Sequence, residues 1–211
     1  MERATMPDRV DTKPRLSPST NPAGRLAGRA SAIAWAVARA EDPRTVYLDT
    51  ETTGLGADAE VIDVAVVGWD GSLLFGTLIR PIKPVPASAH GIHGISNDHL
   101  ARSPSWPSIY EALASVLAGR NVIVYNASFD RRMVAQSCQL HRLTMPDLTW
   151  ECAMRAYAQF HAATDPARGI RMHKLSTAAA AFGASPGTHR AASDARACRS
   201  VVLGLASSAE G

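Results

Sequence analysis

The sequence is poor in the features that mark disulfide-rich, zinc-binding and membrane-spanning proteins. Its three cysteines, Cys138, Cys152 and Cys198, are odd in number and form no Cys-x-x-Cys pair, so we expect reduced cysteines in the core. No apolar run approaches the ~20 residues that a membrane-spanning helix requires. The N-terminal segment lacks the apolar stretch of a secretory signal, which favours a cytoplasmic location.

The chain also contains few aromatic residues, and its net charge is small. Aromatic side chains make up 6% of the chain, and the net charge is only +3. The first 30 residues contain six basic and three acidic side chains, so they carry the whole excess and residues 31–211 are neutral. A neutral body is by itself a weak indication of nucleic-acid binding. Clustered carboxylates that capture divalent cations would add local positive charge and change that interpretation.

Composition divides the chain into three parts. Residues 1–30 combine prolines, glycines and scattered arginines with almost no apolar periodicity, so they are predicted to be a disordered extension. The following residues have enough apolar side chains for a core, and 31–207 is predicted to be one folded domain. Residues 208–211 would form a short tail.

Hydrophobic patterning predicts an α/β fold. Strands are predicted at 45–50, 61–69, 72–79, 121–125 and 148–150. Asp70-Gly71 would join the second and third strands as a hairpin, whereas residues 81–107 are predicted to be a loop. Helices are predicted at 31–40, 108–118, 129–140, 151–162, 174–182 and from Ser193 as the cap of a last helix. The result is a mixed sheet of about five strands, the first three antiparallel, flanked by helices.

Two acidic residues stand at the end of the first predicted strand. Asp49 and Glu51 are two positions apart, so their side chains project from the same face of the strand. Paired carboxylates repel each other unless a cation lies between them, and such oxygen ligands favour Mg²⁺ or Mn²⁺. Gly54, in the turn that follows, permits close approach of a ligand to the backbone. Taken alone, an Asp-x-Glu triplet is more often an ordinary solvated strand end.

The sequence around these carboxylates resembles a known family. The segment Tyr47-Leu-Asp-Thr-Glu-Thr-Thr-Gly-Leu55 is similar to the first motif of the DEDDh exonucleases, the family of the DNA polymerase III proofreading subunit. Asn126-Ala-Ser-Phe-Asp130 resembles the second motif, Asn-x-x-Phe-Asp, and His189-Arg-Ala-Ala-Ser-Asp194 resembles the third, His-x-Ala-x-x-Asp. The motifs follow the family's order, and lesser similarity spans most of 44–205. The resemblance implies a ribonuclease H-like fold.

The resemblance also implies a metal-dependent 3′→5′ exonuclease that removes nucleotides one at a time. Two divalent cations, Mg²⁺ or Mn²⁺, would serve the attacking and leaving oxygens of an in-line displacement. Asp49 would bridge both cations, Glu51 and Asp194 would bind the ion on the nucleophile side, and Asp130 would bind the other. His189 would be the general base, because an imidazole accepts a proton near neutral pH.

Five further residues are expected to grip the nucleic-acid 3′ end. They are Leu55, Phe129, Thr52, His93 and Asn126. The two apolar side chains would sandwich the terminal base, and the other three would make polar contacts. His93 belongs to Ile92-His-Gly-Ile95, a segment similar to a family loop whose histidine approaches substrate phosphate.

Two other positions matter to the resemblance. Asp63, in the second predicted strand, stands where the family often has an acid, and we interpret it as supporting rather than catalytic. Tyr125 departs from the family, which often has histidine before the asparagine of the second motif. Because that position is not a metal ligand in the family, the departure concerns substrate contact.

Three alternatives stay open on the sequence alone. The same chemistry could act on RNA, as in the RNA-trimming members of the family, although the Asp-Thr-Glu-Thr-Thr-Gly and Ile-His-Gly-Ile segments favour single-stranded DNA. A non-catalytic module could bind nucleic acid or a polymerase. A phosphatase that forms an aspartyl phosphate would begin with Asp-x-Asp, whereas this chain has Glu51 and a third motif without a role in that scheme. Proofreading would require a DNA polymerase as partner, since the sequence shows no polymerase domain.

Overall fold

A five-stranded sheet forms the centre of the structure, which is a computed structural model that describes residues 22–161, 164–165 and 169–209. Its strands are β1 (Thr45–Thr52), β2 (Val61–Gly68), β3 (Leu73–Leu78), β4 (Asn121–Val124) and β5 (Thr149–Cys152). The spatial order is β3-β2-β1-β4-β5; β1, β2 and β3 pair antiparallel, and β4 lies parallel to β1 and β5. The predicted mixed sheet is confirmed. A separate short hairpin joins β6 (Thr164–Asp165) to β7 (Gly169–Ile170).

Helices cover both faces of this sheet. They are α1 (Pro22–Ala40), α2 (Ala87–His93), α3 (Asn97–Leu100), α4 (Trp106–Leu117), α5 (Ala127–Leu140), α6 (Ala153–His161), α7 (Leu175–Ala181) and α8 (Ala191–Ser207). The core on one face includes residues of α4 and α5, and the core on the other includes residues of α1, α6, α7 and α8. Alternation along β1 serves both cores, since Val46 and Leu48 face α4 and α5 whereas Tyr47 faces α8.

The first helix begins earlier than predicted. Residues 22–30 belong to α1, whereas the sequence predicted this helix only from residue 31; residues 1–21 of the predicted extension lie outside the described part of the chain. Arg29 explains part of the difference, because its guanidinium carbon lies 3.7 Å from the ring centroid of Phe160. Its Nη1 also donates to the Phe160 carbonyl oxygen at 3.3 Å. These tertiary contacts stabilise a segment whose composition alone favours disorder.

Two other local predictions were wrong. The segment 81–107 is not a plain loop, because it contains α2, α3 and the start of α4. The last helix begins at Ala191 with Arg190 as its N-cap, and Ser193 lies inside it rather than capping it. An acceptor on β2 replaces the expected serine cap, since Asp63 Oδ2 accepts a hydrogen bond from the Ala191 N–H at 3.3 Å.

The structure also bears on the predictions for the cysteines, for membrane-spanning helices and for the C-terminal tail. All three cysteines are free; Cys138 and Cys198 are buried and Cys152 is half-buried. Among the helices of the described residues, none combines the length and the apolar character needed to cross a bilayer. The last helix ends at Ser207, and residues 210–211 of the predicted tail lie outside the described part.

Candidate active site

Residues of the first and third motifs meet at the end of β1. A carboxylate oxygen of Glu51, a ring nitrogen of His189 and a carboxylate oxygen of Asp194 all lie within 4.8 Å of one another. Glu51 belongs to β1, whereas Asp194 lies in the first turn of α8, which packs against β1. Asp49 lies two positions before Glu51 on the same strand, and therefore on the same face. The third motif therefore lies beside the face of β1 that carries Asp49 and Glu51.

The second motif reaches the same strand from the opposite layer. Asp130, in the first turn of α5, is buried, and its Oδ1 accepts hydrogen bonds from the Thr50 N–H at 3.1 Å and the Thr50 hydroxyl at 2.8 Å. Thr50 stands between Asp49 and Glu51 in the sequence. These two bonds therefore fix the Asp130 carboxyl beside the acidic end of β1.

Burial raises the pKa values of three carboxyl groups in the cluster, and neighbouring carboxylates add to this effect at Asp49 and Glu51. Burial, followed by the charges of Asp130 and Asp194, raises the pKa of Asp49 well above its ordinary value. Burial and the charge of Asp194 raise the pKa of Glu51 to about 8, and the charge of Arg190 opposes this only weakly. Burial also raises the pKa of Asp130 to about 7, against the lowering effect of the Thr50 hydrogen bonds.

This electrostatic arrangement fits divalent cations. Several carboxylates are brought together in a poorly solvated place, and the nearby positive charge of Arg190 is too small to neutralise them. Oxygen donors of this kind are the ligands that Mg²⁺ and Mn²⁺ prefer. An ion of charge +2 would favour the ionised carboxylates and remove the repulsion between them.

Contacts of Asp63 hold the start of α8, where the third motif lies. Asp63, which lies opposite Glu51 in the β1–β2 register, forms an ion pair with Arg190 Nε at 3.0 Å. Together with its bond to the start of α8, this contact fixes the helix on β2. Asp63 therefore holds the start of α8 directly and through Arg190, and its supporting role in the site stays a prediction.

Asp194 is held by the same loop. Its Oδ1 accepts a hydrogen bond from the Thr188 N–H at 2.9 Å. Gly187 has a φ of +85°, and a Cβ atom there would lie 2.5 Å from that oxygen, so only glycine fits. His189 has a φ of +55° and an exposed side chain, so its ring extends from the loop over Glu51 and Asp194.

The candidate base-stacking residues follow or precede carboxylates of the cluster in the sequence. Leu55 is 76% exposed on the loop between β1 and β2, four residues after Glu51. Phe129 is half-buried at the start of α5, one residue before Asp130. Thr52 is buried, and its hydroxyl donates to the Gly54 carbonyl oxygen at 2.7 Å. This hydroxyl shapes the turn and keeps only its acceptor capacity for a ligand.

The remaining polar candidates differ in accessibility. Asn126 is exposed, and its Oδ1 accepts from the Ser128 hydroxyl at 3.1 Å. His93 is only 7% exposed; its Nδ1 accepts from the Ile95 N–H at 3.0 Å, and its buried Nε2 has no hydrogen-bond partner among the described residues. Burial lowers the pKa of His93, which favours the neutral ring.

Tyr125 is anchored away from solvent. Its ring is buried, and its hydroxyl lies 3.0 Å from the His173 carbonyl oxygen and 3.2 Å from that of Lys174, so it donates to this segment before α7. Tyr125 therefore ties the residue after β4 to the segment before α7.

Four residues of this region were missed by sequence reasoning: Gly187, Arg190, Arg132 and Gln136. Arg190 acts through Asp63, a partner that is distant in the sequence. Gly187 leaves room for the Asp194 carboxylate, a requirement that no sequence pattern reveals. A glycine just before the third motif was the only available signal for Gly187. Arg132 and Gln136 lie on α5 and hydrogen-bond to the loop that carries Leu55.

The fold and this cluster together define a ribonuclease H-like nuclease. The model of the RNase_T family, described as an exonuclease family, matches residues 46–202, and the chain belongs to this family. An uncharacterized exonuclease, CP81 of Escherichia phage 186, is 36% identical over 174 residues, which cover 79% of this chain and 89% of the phage protein. The DNA polymerase III subunit epsilon of Treponema pallidum (strain Nichols) is 29% identical over 169 residues, covering 78% and 77%.

Solved structures of nucleases share this fold. Exonuclease X in complex with 5′ overhanging duplex DNA superimposes with a TM-score of 0.57 at 23% identity and covers 79% of this chain and 93% of that one. The nuclease domain of 3′hExo, a DEDDh family member bound to rAMP, has a TM-score of 0.62 at 15% identity, with 79% and 92% covered. The chain is therefore an exonuclease of the RNase_T family, and it shares its fold with a DEDDh family member.

Proposed function

We propose that this enzyme removes nucleoside monophosphates from the 3′ end of single-stranded DNA with the help of two divalent cations, Mg²⁺ or Mn²⁺. The observation that carries the proposal is the meeting of Glu51, His189 and Asp194 within 4.8 Å at the strand end that also carries Asp49. The bonds that tie Asp130 to the same strand add the fourth carboxylate.

Each carboxylate has a distinct place in this scheme. When bound, the two cations supply the positive charge that activates the attacking water and stabilises the leaving 3′ oxygen. Asp49, between the other acids, is proposed to bind both ions. Glu51 and Asp194 are proposed to bind the ion on the nucleophile side, and Asp130, from α5, the other.

His189 is proposed to be the general base. Its side chain is exposed, and a ring nitrogen lies close to the carboxylate oxygens of Glu51 and Asp194. An imidazole in this place would accept the proton of the attacking water near neutral pH. The loop backbone around it is held by contacts of Asp63 and Asp194, so the ring is directed while its tip stays accessible.

The terminal nucleotide is proposed to enter between Leu55 and Phe129. The exposure of Leu55 and the position of Phe129 beside Asp130 support a slot in which the last base stacks. Asn126, which is exposed, is the first candidate for a polar contact. Thr52 and His93 are buried and are proposed to contact the nucleotide from the floor of the slot, through the Thr52 hydroxyl oxygen and His93 Nε2.

DNA is favoured over RNA by the similarity to polymerase subunits. The relative from Treponema pallidum is named a DNA polymerase III subunit, and by analogy a DNA polymerase is a proposed partner of this chain. RNA remains the competing substrate, because no described contact distinguishes a ribose 2′-hydroxyl from hydrogen.

A degradation assay on matched polymers tests the proposal. Single-stranded DNA and RNA of the same sequence, labelled at the 5′ end, are incubated with enzyme with and without Mn²⁺. Shortening from the 3′ end yields a descending ladder, whereas attack from the 5′ end releases a labelled mononucleotide at once. We expect a metal-dependent ladder on DNA with the wild type and none with Asp49→Ala.

Asp98→Ala is a matched control, because Asp98 is an exposed carboxylate on α3 outside the cluster. This variant should retain full activity. Faster shortening of RNA than of DNA would favour the RNA-trimming alternative. Degradation of neither polymer would favour a non-catalytic module, and release of inorganic phosphate alone would favour a phosphatase.

A further inference from the structure

The loop that carries Leu55 is closed at its base. Residues 53–60, here termed the Leu55 loop, connect β1 to β2. The Thr53 N–H donates to the Glu60 carbonyl oxygen at 2.9 Å, and the Glu60 N–H donates to the Thr53 hydroxyl oxygen at 3.0 Å. The buried Glu60 carboxylate also accepts from the N–H groups of Ile82 and Lys83 at 2.8 and 2.9 Å. The ends of the Leu55 loop are therefore fixed without help from its tip.

The tip is held by one face of α5. Arg132 Nη1 donates to the Leu55 carbonyl oxygen at 3.2 Å. Gln136, one turn further along the helix, donates through Nε2 to the carbonyl oxygens of Gly56 at 3.2 Å and Ala59 at 3.1 Å. Arg132 Nη1 also donates to Gln136 Oε1 at 3.3 Å, so the two side chains support each other. Their spacing of four residues places both on the side of the helix that faces the loop.

The same arginine contacts the other wall of the proposed base slot. Its guanidinium carbon lies 5.5 Å from the ring centroid of Phe129, which is one helical turn before it on α5. One planar group thus contacts Phe129 through its ring and Leu55 through its backbone carbonyl. Lysine could not reproduce both contacts, because its ammonium lacks the planar fork of donors.

We infer that Arg132, supported by Gln136, is a positioning residue that fixes the distance between Leu55 and Phe129 and hence the fit of the 3′-terminal base. The inference rests on the proposed function, since it concerns the slot in which that base stacks. Arg132 acts through the two walls of the slot and takes no part in the chemistry at the carboxylates. Its removal should therefore weaken substrate binding more than turnover.

Steady-state kinetics on three substrates test this inference. The first is a single-stranded DNA oligonucleotide, and the second is the same oligonucleotide ending in a tetrahydrofuran abasic nucleotide. The third is the p-nitrophenyl ester of thymidine 5′-monophosphate, which has a base but no upstream strand. For Arg132→Ala we expect KM to rise roughly tenfold on the oligonucleotide and the ester, as for loss of a charge-assisted hydrogen bond, with kcat changed less than about twofold. On the abasic substrate the variant and wild type should be equal.

Companion variants separate positioning from charge and from folding. Arg131→Ala removes an equal charge from the neighbouring position, where Arg131 is exposed and has no hydrogen bond or ion pair among the described residues, and it should behave as wild type. Gln136→Ala should raise KM in the same substrate-dependent way as Arg132→Ala, and Arg132→Lys should be intermediate. Circular dichroism and thermal melting confirm that each variant is folded.

Three results would overturn the inference. An Arg132→Ala enzyme equal to wild type on all substrates, or one impaired on the oligonucleotide but not on the ester, would show that Arg132 does not act through the base slot. An equal loss on the abasic substrate would indicate general structural damage. Wild-type protein that cleaves none of the substrates with metal would refute the proposed function itself, an outcome distinct from an active wild type with an unaffected variant.

Discussion

Replacing Glu51 by glutamine should stabilise the metal-free protein at high pH while removing its activity. Burial and neighbouring carboxylates raise the pKa of Glu51 from 4.5 to about 8 in the folded protein. At about 1.4 kcal/mol for each factor of ten, this difference corresponds to at most about 5 kcal/mol of unfavourable free energy once Glu51 is ionised in both folded and unfolded states. Side-chain movement and water entry reduce this value, and we expect about 2 kcal/mol to be measurable.

The sign of the effect depends on pH. A carboxyl whose pKa is higher in the folded than in the unfolded state binds its proton more tightly when folded, so its favourable contribution is complete below pH 4.5 and disappears as the pH rises through about 8. Without metal, wild-type stability should therefore fall across this range. Glutamine is neutral throughout, so the advantage of Glu51→Gln should be small at pH 5 and largest at pH 9.

Urea denaturation in EDTA at these two pH values measures the effect, with Asp98→Ala as the control for loss of an exposed carboxylate. Saturating Mn²⁺ should cancel the advantage of the variant, because the ion neutralises Glu51 in the wild type. The nuclease activity of the variant should be lost. A variant no more stable than wild type at pH 9 without metal would refute the reasoning that the cluster is held together against its own repulsion.

Three further predictions concern the metal ions, the loop before α8 and the proposed general base His189. Mn²⁺ at about 100 times its Kd should stabilise the protein by about 2.7 kcal/mol and raise Tm by roughly 5–10 °C in calorimetry, an increase that Asp49→Ala should abolish. Gly187→Ala should lower kcat/KM at least about tenfold by displacing the Asp194 carboxylate. Gly183→Ala should keep wild-type activity despite a similar backbone strain, because Gly183 has a φ of +68° but no atom of the described residues lies within 4 Å of the new Cβ; activity assays of both variants decide this. His189→Ala should lower kcat by about 10²–10⁴-fold and leave the Mn²⁺-dependent rise in Tm largely intact, and full activity in this variant would exclude His189 as the base.

The strands and the paired carboxylates were predictable because they depend on local rules. The Asp70-Gly71 turn between two apolar runs predicts the β2–β3 hairpin, and that hairpin is present. The two-residue spacing of Asp49 and Glu51 places both on one face of β1. That the three motifs form one site was predicted from the family resemblance instead, because no periodicity in the sequence relates Asp130 or Asp194 to β1.

Contacts between distant segments could not be predicted in the same way. Arg190 lies 127 residues from Asp63, and the sequence contains many other possible partners for either charge. The start of α1 before residue 31 depends on Arg29 packing against Phe160, a contact that exists only in the folded chain. The burial of His93 likewise follows from tertiary packing, because α2 shares an apolar cluster with Ile62 of β2, where the sequence predicted only a loop.

Anomalous diffraction from crystals grown with Mn²⁺ and thymidine 5′-monophosphate tests most directly whether the acidic cluster holds the catalytic metals. Two anomalous peaks are predicted among the carboxylates of Asp49, Glu51, Asp130 and Asp194, with the nucleotide phosphate beside them. Their loss in Asp49→Ala crystals would support the assignment of that residue as the bridging ligand. Wild-type crystals with no peak at these carboxylates, or with Mn²⁺ bound only elsewhere, would contradict the account.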